Sequence, residues 1–440
     1  MTRALPPSID TDADTFVSAP DQPTERLARG FLSGLAQPLK YRDYRLLFAG
    51  QFVSGIGDGF FAVALPWLIL SHVGGPQALG LVLGANGITR ALSTIVGGWL
   101  SDRIRPRRVM LITDTARVLL VSAFAAVSFS GHAQLGVLCA LSAAAGIFSG
   151  AFIPASFAMT PEILPDEALG AGNSLSFTYM SLAALIGTGL AGIVVARGST
   201  SAAFALDALS FIVSALTLWA MRPARPHAPN TNIDTSATQA VDTVQPALSF
   251  WRFVGGSQLF QLILVVVIAI NLVLNGVIEV GLPAFAHGSL QAGATGYGLL
   301  LAIWGGGALL GGLAGSLLTR WPRQGILISS LFALQGMAMV FLPLSGMLVG
   351  ALAAAGAMGL FNGLGNVCFS TMVQKLLPRE LMGRMMGAIA FCNFGLNPVS
   401  VTLAGFAAAR YGASAVVMIS GALSVLVMLL AVTPRALRSI

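Results

Sequence analysis

Long apolar segments, each of about 20 residues, follow one another along almost the whole chain after the first forty residues. A helix of about 20 apolar residues is long enough to cross the hydrocarbon core of a bilayer. The pattern therefore predicts twelve membrane-spanning helices, numbered in chain order: Leu46–Leu70, Leu79–Leu100, Val109–Ser130, Leu135–Phe157, Gly172–Val195, Ala202–Met221, Leu259–Phe285, Tyr297–Leu318, Gly325–Leu344, Leu348–Val373, Met385–Ala408 and Ser414–Val432.

The twelve predicted spans fall into two sets of six. Residues 222–249 between the sets are rich in Pro, Thr, Ala and Asn, which predicts a flexible linker. Residues 1–40, with Asp, Pro, Ser and Thr, predict a disordered cytoplasmic tail. The segment Leu164–Gly170 also resembles Leu377–Gly383 at the matching place in the second set. We expect an all-α integral membrane protein of two six-helix pseudo-repeat bundles, residues 41–221 and 250–440.

Composition agrees with a membrane protein. Hydrophobic residues make up 55% of the chain and charged residues 9%, whereas about 25% of a soluble domain is charged. The 51 glycines allow close packing between membrane helices. The net charge of +7 could be mistaken for a nucleic-acid-binding signal, but the positions of the cations indicate a membrane topology instead.

The cations are segregated to one side of the predicted topology. With the N-terminus in the cytoplasm, 20 of the 24 Lys and Arg residues lie in inner segments. The outer loops hold Arg197 and Arg410, and Arg90 and Arg117 lie inside spans. By the positive-inside rule this supports the helix count and places both termini in the cytoplasm, with the chain in the inner (plasma) membrane. No nucleic-acid partner is expected.

Enzyme and metal chemistry find little support in the sequence. The three cysteines are far apart in apolar stretches, and all four histidines lie outside the predicted spans, so neither a metal site nor a buried His base is indicated. The chain contains no G-x-x-x-x-G-K-[ST] motif, which argues against an ATPase of its own. We expect no cofactor other than a proton gradient.

The segment Gly97–Arg108, between spans two and three, carries the most informative motif. It resembles the G-x-x-x-D-R-x-G-R-R signature of the major facilitator superfamily, although Arg105 and Pro106 depart from it. In that family the cluster latches the cytoplasmic side shut when the transporter opens outward. An incidental cluster of inner arginines is the simpler alternative. The resemblance, together with two charges near the inner end of span three, predicts a cytoplasmic gate of Gly98, Asp102, Arg103, Arg107, Asp114 and Arg117.

Several short segments narrow the resemblance to the branch that contains macrolide and siderophore exporters of the drug:proton antiporter type. They lie in the same order along the chain from Tyr41 onward: Gly55–Gly59, Phe152–Ala155, Pro161–Pro165, Ala205–Phe211 and Gly383-Arg384. Exporters also tend to carry Gly-Pro-x-x-Gly-Gly in span five. Here Thr188 stands where the Pro would be and Ala191 replaces a Gly, which weakens the antiporter interpretation.

Charged residues inside spans are costly unless they are paired or wetted, and they mark functional sites. Asp58 lies halfway along span one between two glycines. We expect it to carry protons or contact substrate, and a structural Asp at a glycine kink is the alternative. Arg90, midway along span two, is either the partner of Asp58 or a cation that faces an anionic substrate. Asp207, near the outer end of span six, is expected to be structural.

Span seven carries a polar stripe of Asn271, Asn275 and Glu279 at intervals of four residues. Such a stripe on a lipid-embedded helix is expected to line a cavity or to join helices. The sequence thus predicts a proton-coupled exporter of small amphipathic compounds that works by alternating access between the bundles, with the lipid bilayer as surroundings and a monomer as the family default. An importer or uniporter of the same fold is the alternative, as is a non-transporting membrane receptor.

Overall fold

The fold was analysed in a computed structural model. It describes residues 37–222, 255–376 and 395–432, together with Met385, Ala388, Ile389, Phe391, Cys392 and Asn393. Residues 1–36 of the predicted disordered tail and residues 223–249 of the predicted linker lie outside the described residues. The last four residues of the predicted tail, Gln37–Lys40, form a 3-10 turn instead. The motif segment Leu377–Gly383 and the pair Gly383-Arg384 also lie outside them.

Helices make up nearly all of the described chain. A short 3-10 turn, Gln37–Lys40, precedes them. The helices are α1 Arg42–His72, α2 Gly75–Arg103, α3 Pro106–Ser130, α4 Leu135–Ile163, α5 Asp166–Ala196, α6 Thr200–Ala220, α7 Gln258–His287, α8 Gly293–Leu318, α9 Gln324–Leu344, α10 Leu348–Leu376, α11 Asn397–Tyr411 and α12 Ala413–Ala431.

Eleven helices of the described chain are long and apolar enough to cross a membrane. The twelfth, α11, has 15 described residues, because the first part of the predicted span Met385–Ala408 is only partly described. The all-α, twelve-helix architecture that the sequence predicts is confirmed. Several helices run past their predicted ends: α4 continues through Pro154 and Pro161 to Ile163.

Glycines let the helices within each half approach closely. A Cβ on Gly59 of α1 would lie 2.7 Å from the backbone of Gly187 in α5. In the second half, a Cβ on Gly363 of α10 would lie 2.7 Å from the backbone nitrogen of Gly312 in α8. Because lipid offers no hydrophobic drive between helices, such backbone contacts supply much of the packing energy.

The two halves contact each other tightly at one end of the molecule, which we call the closed end. There a Cβ on Gly80 of α2 would lie 2.9 Å from the Cα of Gly405 in α11, and α5 meets α8 at Gly192 and Gly298. The ring of His287, at the end of α7, packs edge-on against Trp67 with the centroids 5.0 Å apart. These contacts join α1, α2 and α5 to helices of the second half.

At the opposite end, which we call the open end, α2 still packs on α4, but the described residues give it no comparable contact with the second half. A Cβ on Gly98 would meet nothing within 4 Å among the described residues, and Leu92, Ile95 and Trp99 are exposed. The open end is the one that carries the turn between α2 and α3.

Candidate functional site

A cavity of about 540 Å³ lies within the second half of the molecule. Its described lining comes from helices α7 to α12 and from the segment before α11, with Arg90 of α2 as the one contribution from the first half. Apolar side chains such as Ile263, Phe332, Phe369 and Met428 form much of the wall. The volume suits a drug-sized ligand, since ligand pockets span roughly 300–1,000 Å³.

Four residues predicted from the sequence meet in this cavity. Asn271, Asn275 and Glu279 of α7 line it together, and Arg90 reaches it from the other half. Both roles considered for the stripe on α7 stay open, because the stripe lies at a cavity and two of its members also hydrogen-bond to residues of other segments. Arg90 faces the same cavity, and its charge acts on Glu279.

Glu279 lies in an irregular part of α7. Residues Val277–Gly281 form a π-helical turn, an arrangement that occurs often at functional sites. The carboxylate accepts a hydrogen bond of 2.7 Å from Nδ2 of Asn397, in the first turn of α11. Glu279 is thus held by a residue of a neighbouring helix and attracted by a cation from the opposite half.

Ser400 of α11 interrupts the hydrogen bonds of α7 one turn before Glu279. Its hydroxyl donates to the carbonyl oxygen of Leu272 at 2.6 Å and accepts from the backbone N–H of Gly276 at 2.7 Å. In a regular helix this N–H and this carbonyl would bond to each other. An inserted side chain of this kind bends a helix or changes its winding. Asn397 and Ser400, three residues apart on α11, therefore hold α7 around Glu279.

Sequence reasoning missed four further asparagines of the cavity. Asn362 and Asn366 on α10 line it, as do Asn393 and Asn397. Nδ2 of Asn366 donates to Oδ1 of Asn362 at 3.1 Å. The spacing of four residues on α10 repeats the spacing of the stripe on α7, and this signal could have identified Asn362 and Asn366.

Asp58 lies outside the described lining of this cavity and belongs to a different group of charges. The charge of Arg117 in α3 acts on Asp58, Asp114 and Asp207. We call these four residues the N-terminal acid cluster. The predicted pairing of Asp58 with Arg90 is wrong, because in the folded chain Arg117 is the cation beside Asp58 and Arg90 is the cation beside Glu279.

The cluster is packed inside the first bundle. Asp114, Arg117 and Asp207 are buried, whereas Asp58 is exposed. Arg117 Nη1 lies 3.9 Å from Asp114 Oδ1, and the hydroxyl of Ser214 donates to Asp114 Oδ2 at 2.7 Å. Three buried polar atoms of the cluster have no hydrogen-bond partner among the described residues: Asp114 Oδ1, Arg117 Nε and Asp207 Oδ2. The cluster thus has hydrogen-bonding capacity that the described side chains do not use.

The described contacts of Asp114 and Arg117 lie inside the first bundle, and their relation to the side chain of Asp102 in the turn between α2 and α3 falls outside the described residues. Their described charge partners are each other, Asp58 and Asp207. Arg117 also lies against Phe152, with its guanidinium carbon 4.5 Å from the ring centroid. The helix is long enough that residues near its predicted inner end reach the interior of the bundle.

The predicted gate residues in the turn itself have local partners. Nε and Nη2 of Arg107 donate to the carbonyl oxygens of Leu218 and Trp219 at 2.7 and 2.8 Å, which caps the end of α6. The guanidinium of Arg103 lies 4.3 Å from the ring centroid of Trp99. The side chain of Asp102 lies outside the described residues.

Gly98 makes no close helix contact among the described residues, since a Cβ there would meet nothing within 4 Å. The neighbouring Gly97 makes one instead, because a Cβ there would lie 2.5 Å from the Cα of Ala151 in α4. The gate role of the six predicted residues remains a prediction.

Comparisons with known proteins agree with this architecture. The model of the Major Facilitator Superfamily matches residues 47–399. The multidrug efflux pump Tap of Mycolicibacterium fortuitum is 25% identical over 368 residues, 82% of this chain and 87% of Tap. The enterobactin exporter EntS of Salmonella typhi is 24% identical over 367 residues, 82% of this chain and 84% of EntS. In fold, the crystal structure of the nucleoside transporter NupG matches 89% of this chain and 98% of its own with a TM-score of 0.69 at 11% identity.

Proposed function

The chain belongs to the major facilitator superfamily and is a multi-pass membrane transporter rather than an enzyme, and from this premise we propose that it exports small amphipathic compounds in exchange for protons. Export is supported by the similarity to two proteins named as an efflux pump and an exporter. The amphipathic class is supported by the cavity, whose wall combines apolar side chains with asparagines and one pair of opposite charges.

One observation supports the proposal most: Glu279 and Arg90 have opposite charges, come from opposite halves and line the same cavity. Glu279 belongs to the second half and Arg90 to the first. A proton on Glu279 removes its negative charge and with it the attraction to Arg90. Because this attraction joins the two halves, its loss favours their movement relative to each other, which is the step that alternating access requires.

The N-terminal acid cluster is the second proposed proton-binding element. It holds three carboxyl groups and one guanidinium. If all three carboxyl groups were charged, the cluster would carry uncompensated negative charge inside the protein, which is costly. A proton bound by the cluster offsets part of that charge. Asp58, the exposed member, is the proposed point of exchange with water.

The topology predicted from the sequence indicates which end of the structure faces the cytoplasm. With the N-terminus in the cytoplasm, the turn between α2 and α3 is cytoplasmic, so the open end faces inward. The cavity is then loaded from the cytoplasm, as an exporter needs. The proposed setting is the plasma membrane, with the bilayer and a small molecule as partners, a proton gradient in place of a cofactor, and a monomer as the unit.

Everted membrane vesicles test this proposal, because an exporter moves its substrate into their interior. We expect vesicles that contain the wild type to accumulate at least one compound of an amphipathic panel when the interior is acid, and to lose it when nigericin collapses the pH gradient. Glu279→Gln should abolish the accumulation, and Asn173→Gln, at an exposed position outside the described cavity lining, should not. Accumulation that persists without a pH gradient would contradict proton coupling.

A further inference from the structure

Asparagine is the most frequent polar residue in the described cavity lining. Six asparagines contribute to it, from α7, from α10 and from the segment that leads into α11: Asn271, Asn275, Asn362, Asn366, Asn393 and Asn397. Two serines, Ser329 and Ser370, add hydroxyl groups. Multidrug cavities need few polar groups when they hold an apolar ligand, since burying a carboxamide without a partner is costly. So many carboxamides therefore point to a ligand that hydrogen-bonds to them.

The charges of the cavity cancel. Among the described lining residues, Arg90 and Glu279 are the ionisable ones, and they have opposite signs. A cationic ligand would be repelled by Arg90, and an anionic ligand by Glu279. Neither sign of charge is favoured as long as the two residues stay together, and this points to an uncharged ligand.

The hydrogen bonds within the lining leave acceptors unused. A carboxamide offers two N–H donors and a carbonyl oxygen with two lone pairs. Five of the six side chains donate from their amino group to described residues, and the carbonyl oxygen of Asn362 accepts one of these bonds. Within the described residues, the side-chain carbonyl oxygens of the other four donors accept no hydrogen bond and can accept one from a ligand: Asn271, Asn275, Asn366 and Asn397. Hydroxyl groups match such a surface, because each can donate to a carbonyl oxygen and accept from a neighbouring N–H.

We propose that the preferred substrate is an uncharged amphipathic compound with a hydroxyl-rich edge, such as a glycoside of a flat aromatic core. This rests on the proposed function, because it takes the cavity to be the substrate site. The sugar hydroxyls contact the asparagines of α7 and α10. The apolar core packs against Phe332, Phe369 and Met428 on the opposing apolar wall.

Equilibrium binding to the purified transporter tests the proposal without any need for transport or a proton gradient. Three probes are compared in detergent or nanodiscs: esculin, an uncharged fluorescent glucoside; its aglycone esculetin; and the lipophilic cation tetraphenylphosphonium. We expect esculin to bind about tenfold or more tightly than either of the others. The sugar adds two or more hydrogen bonds, and each contributes a modest net free energy of binding.

The variants Asn271→Leu and Asn366→Leu should each remove most of the preference for esculin over esculetin. The matched control is Asn173→Leu, at an exposed position on α5 outside the described lining, which should keep the preference. Equal binding of esculin and esculetin, tighter binding of the cation, or no binding of esculin up to about 1 mM would overturn the proposal. A preference for esculin in a protein that moves no protons would leave this inference standing and overturn the proposed coupling instead.

Discussion

Replacing Ser400 by Ala removes one oxygen that serves two hydrogen bonds inside α7. The hydroxyl bridges the carbonyl oxygen of Leu272 and the N–H of Gly276 at 2.6 and 2.7 Å, and Ser400 is 1% exposed, so water does not reach the gap readily. A buried hydrogen bond contributes about 0.5–1.5 kcal/mol net, so the two together are worth about 1–3 kcal/mol. We expect Ser400→Ala to lower the free energy of unfolding by this amount.

The same change should impair transport more than it impairs folding. Ser400 holds α7 one turn before Glu279, and a shift of about 1 Å at a functional group can cost a large part of its activity. The assays are thermal unfolding in detergent and proton-coupled accumulation in everted vesicles. We expect a lower midpoint of unfolding, and a reduced rate that does not recover at temperatures where the variant is fully folded.

Ser424→Ala is the matched control for this prediction. Ser424 of α12 is also buried, at 5% exposure, and the structure gives its side chain no hydrogen bond within the described residues. We expect this variant to keep both stability and rate. If Ser400→Ala behaves like Ser424→Ala in both assays, the inserted hydroxyl does not position Glu279 and the reasoning fails.

Three further substitutions test the packing of the fold. Gly80→Ala at the closed end places a Cβ 2.9 Å from the backbone of α11. Overpacking of this kind costs about 1–3 kcal/mol. We therefore expect the distance between spin labels at Ser71 and Ser289 to increase. Gly98→Ala should leave that distance unchanged, since its Cβ meets nothing within 4 Å, and equal behaviour of the two variants would contradict the assignment of the closed end. Arg107→Leu removes two charged hydrogen bonds to the last carbonyl oxygens of α6 and should lower the midpoint of thermal unfolding; an unchanged midpoint would show that the cap is not stabilising.

The helices could be predicted from the sequence because each one is a local property of the chain. Apolar length alone predicts a span, and the structure has helices at the predicted places throughout the described residues. The stripe on α7 was predictable for the same reason, since Asn271, Asn275 and Glu279 share one helix. Whether these side chains line a cavity or join helices stayed open, because that depends on the neighbouring helices.

Pairings between helices could not be predicted in this way. Arg90 and Asp58 are each near the middle of adjacent spans, yet Arg90 acts on Glu279 and Arg117 acts on Asp58. Which charges meet depends on how the helices rotate and pack, and the spacing of residues along one span does not contain that information. The insertion of Ser400 into α7 was hidden for the same reason, because nothing in the segment around Gly276 indicates which side chain approaches it.

The central claim is that Glu279 couples proton movement to export. Its most direct test is substrate-driven proton movement in proteoliposomes of the purified protein, with wild type, Glu279→Gln and Asp58→Asn compared on a substrate that the wild type transports. We expect the wild type to move protons when substrate is added and Glu279→Gln to move none, while Asp58→Asn loses coupling if the N-terminal acid cluster takes part. Undiminished substrate-driven proton movement in Glu279→Gln would contradict the account.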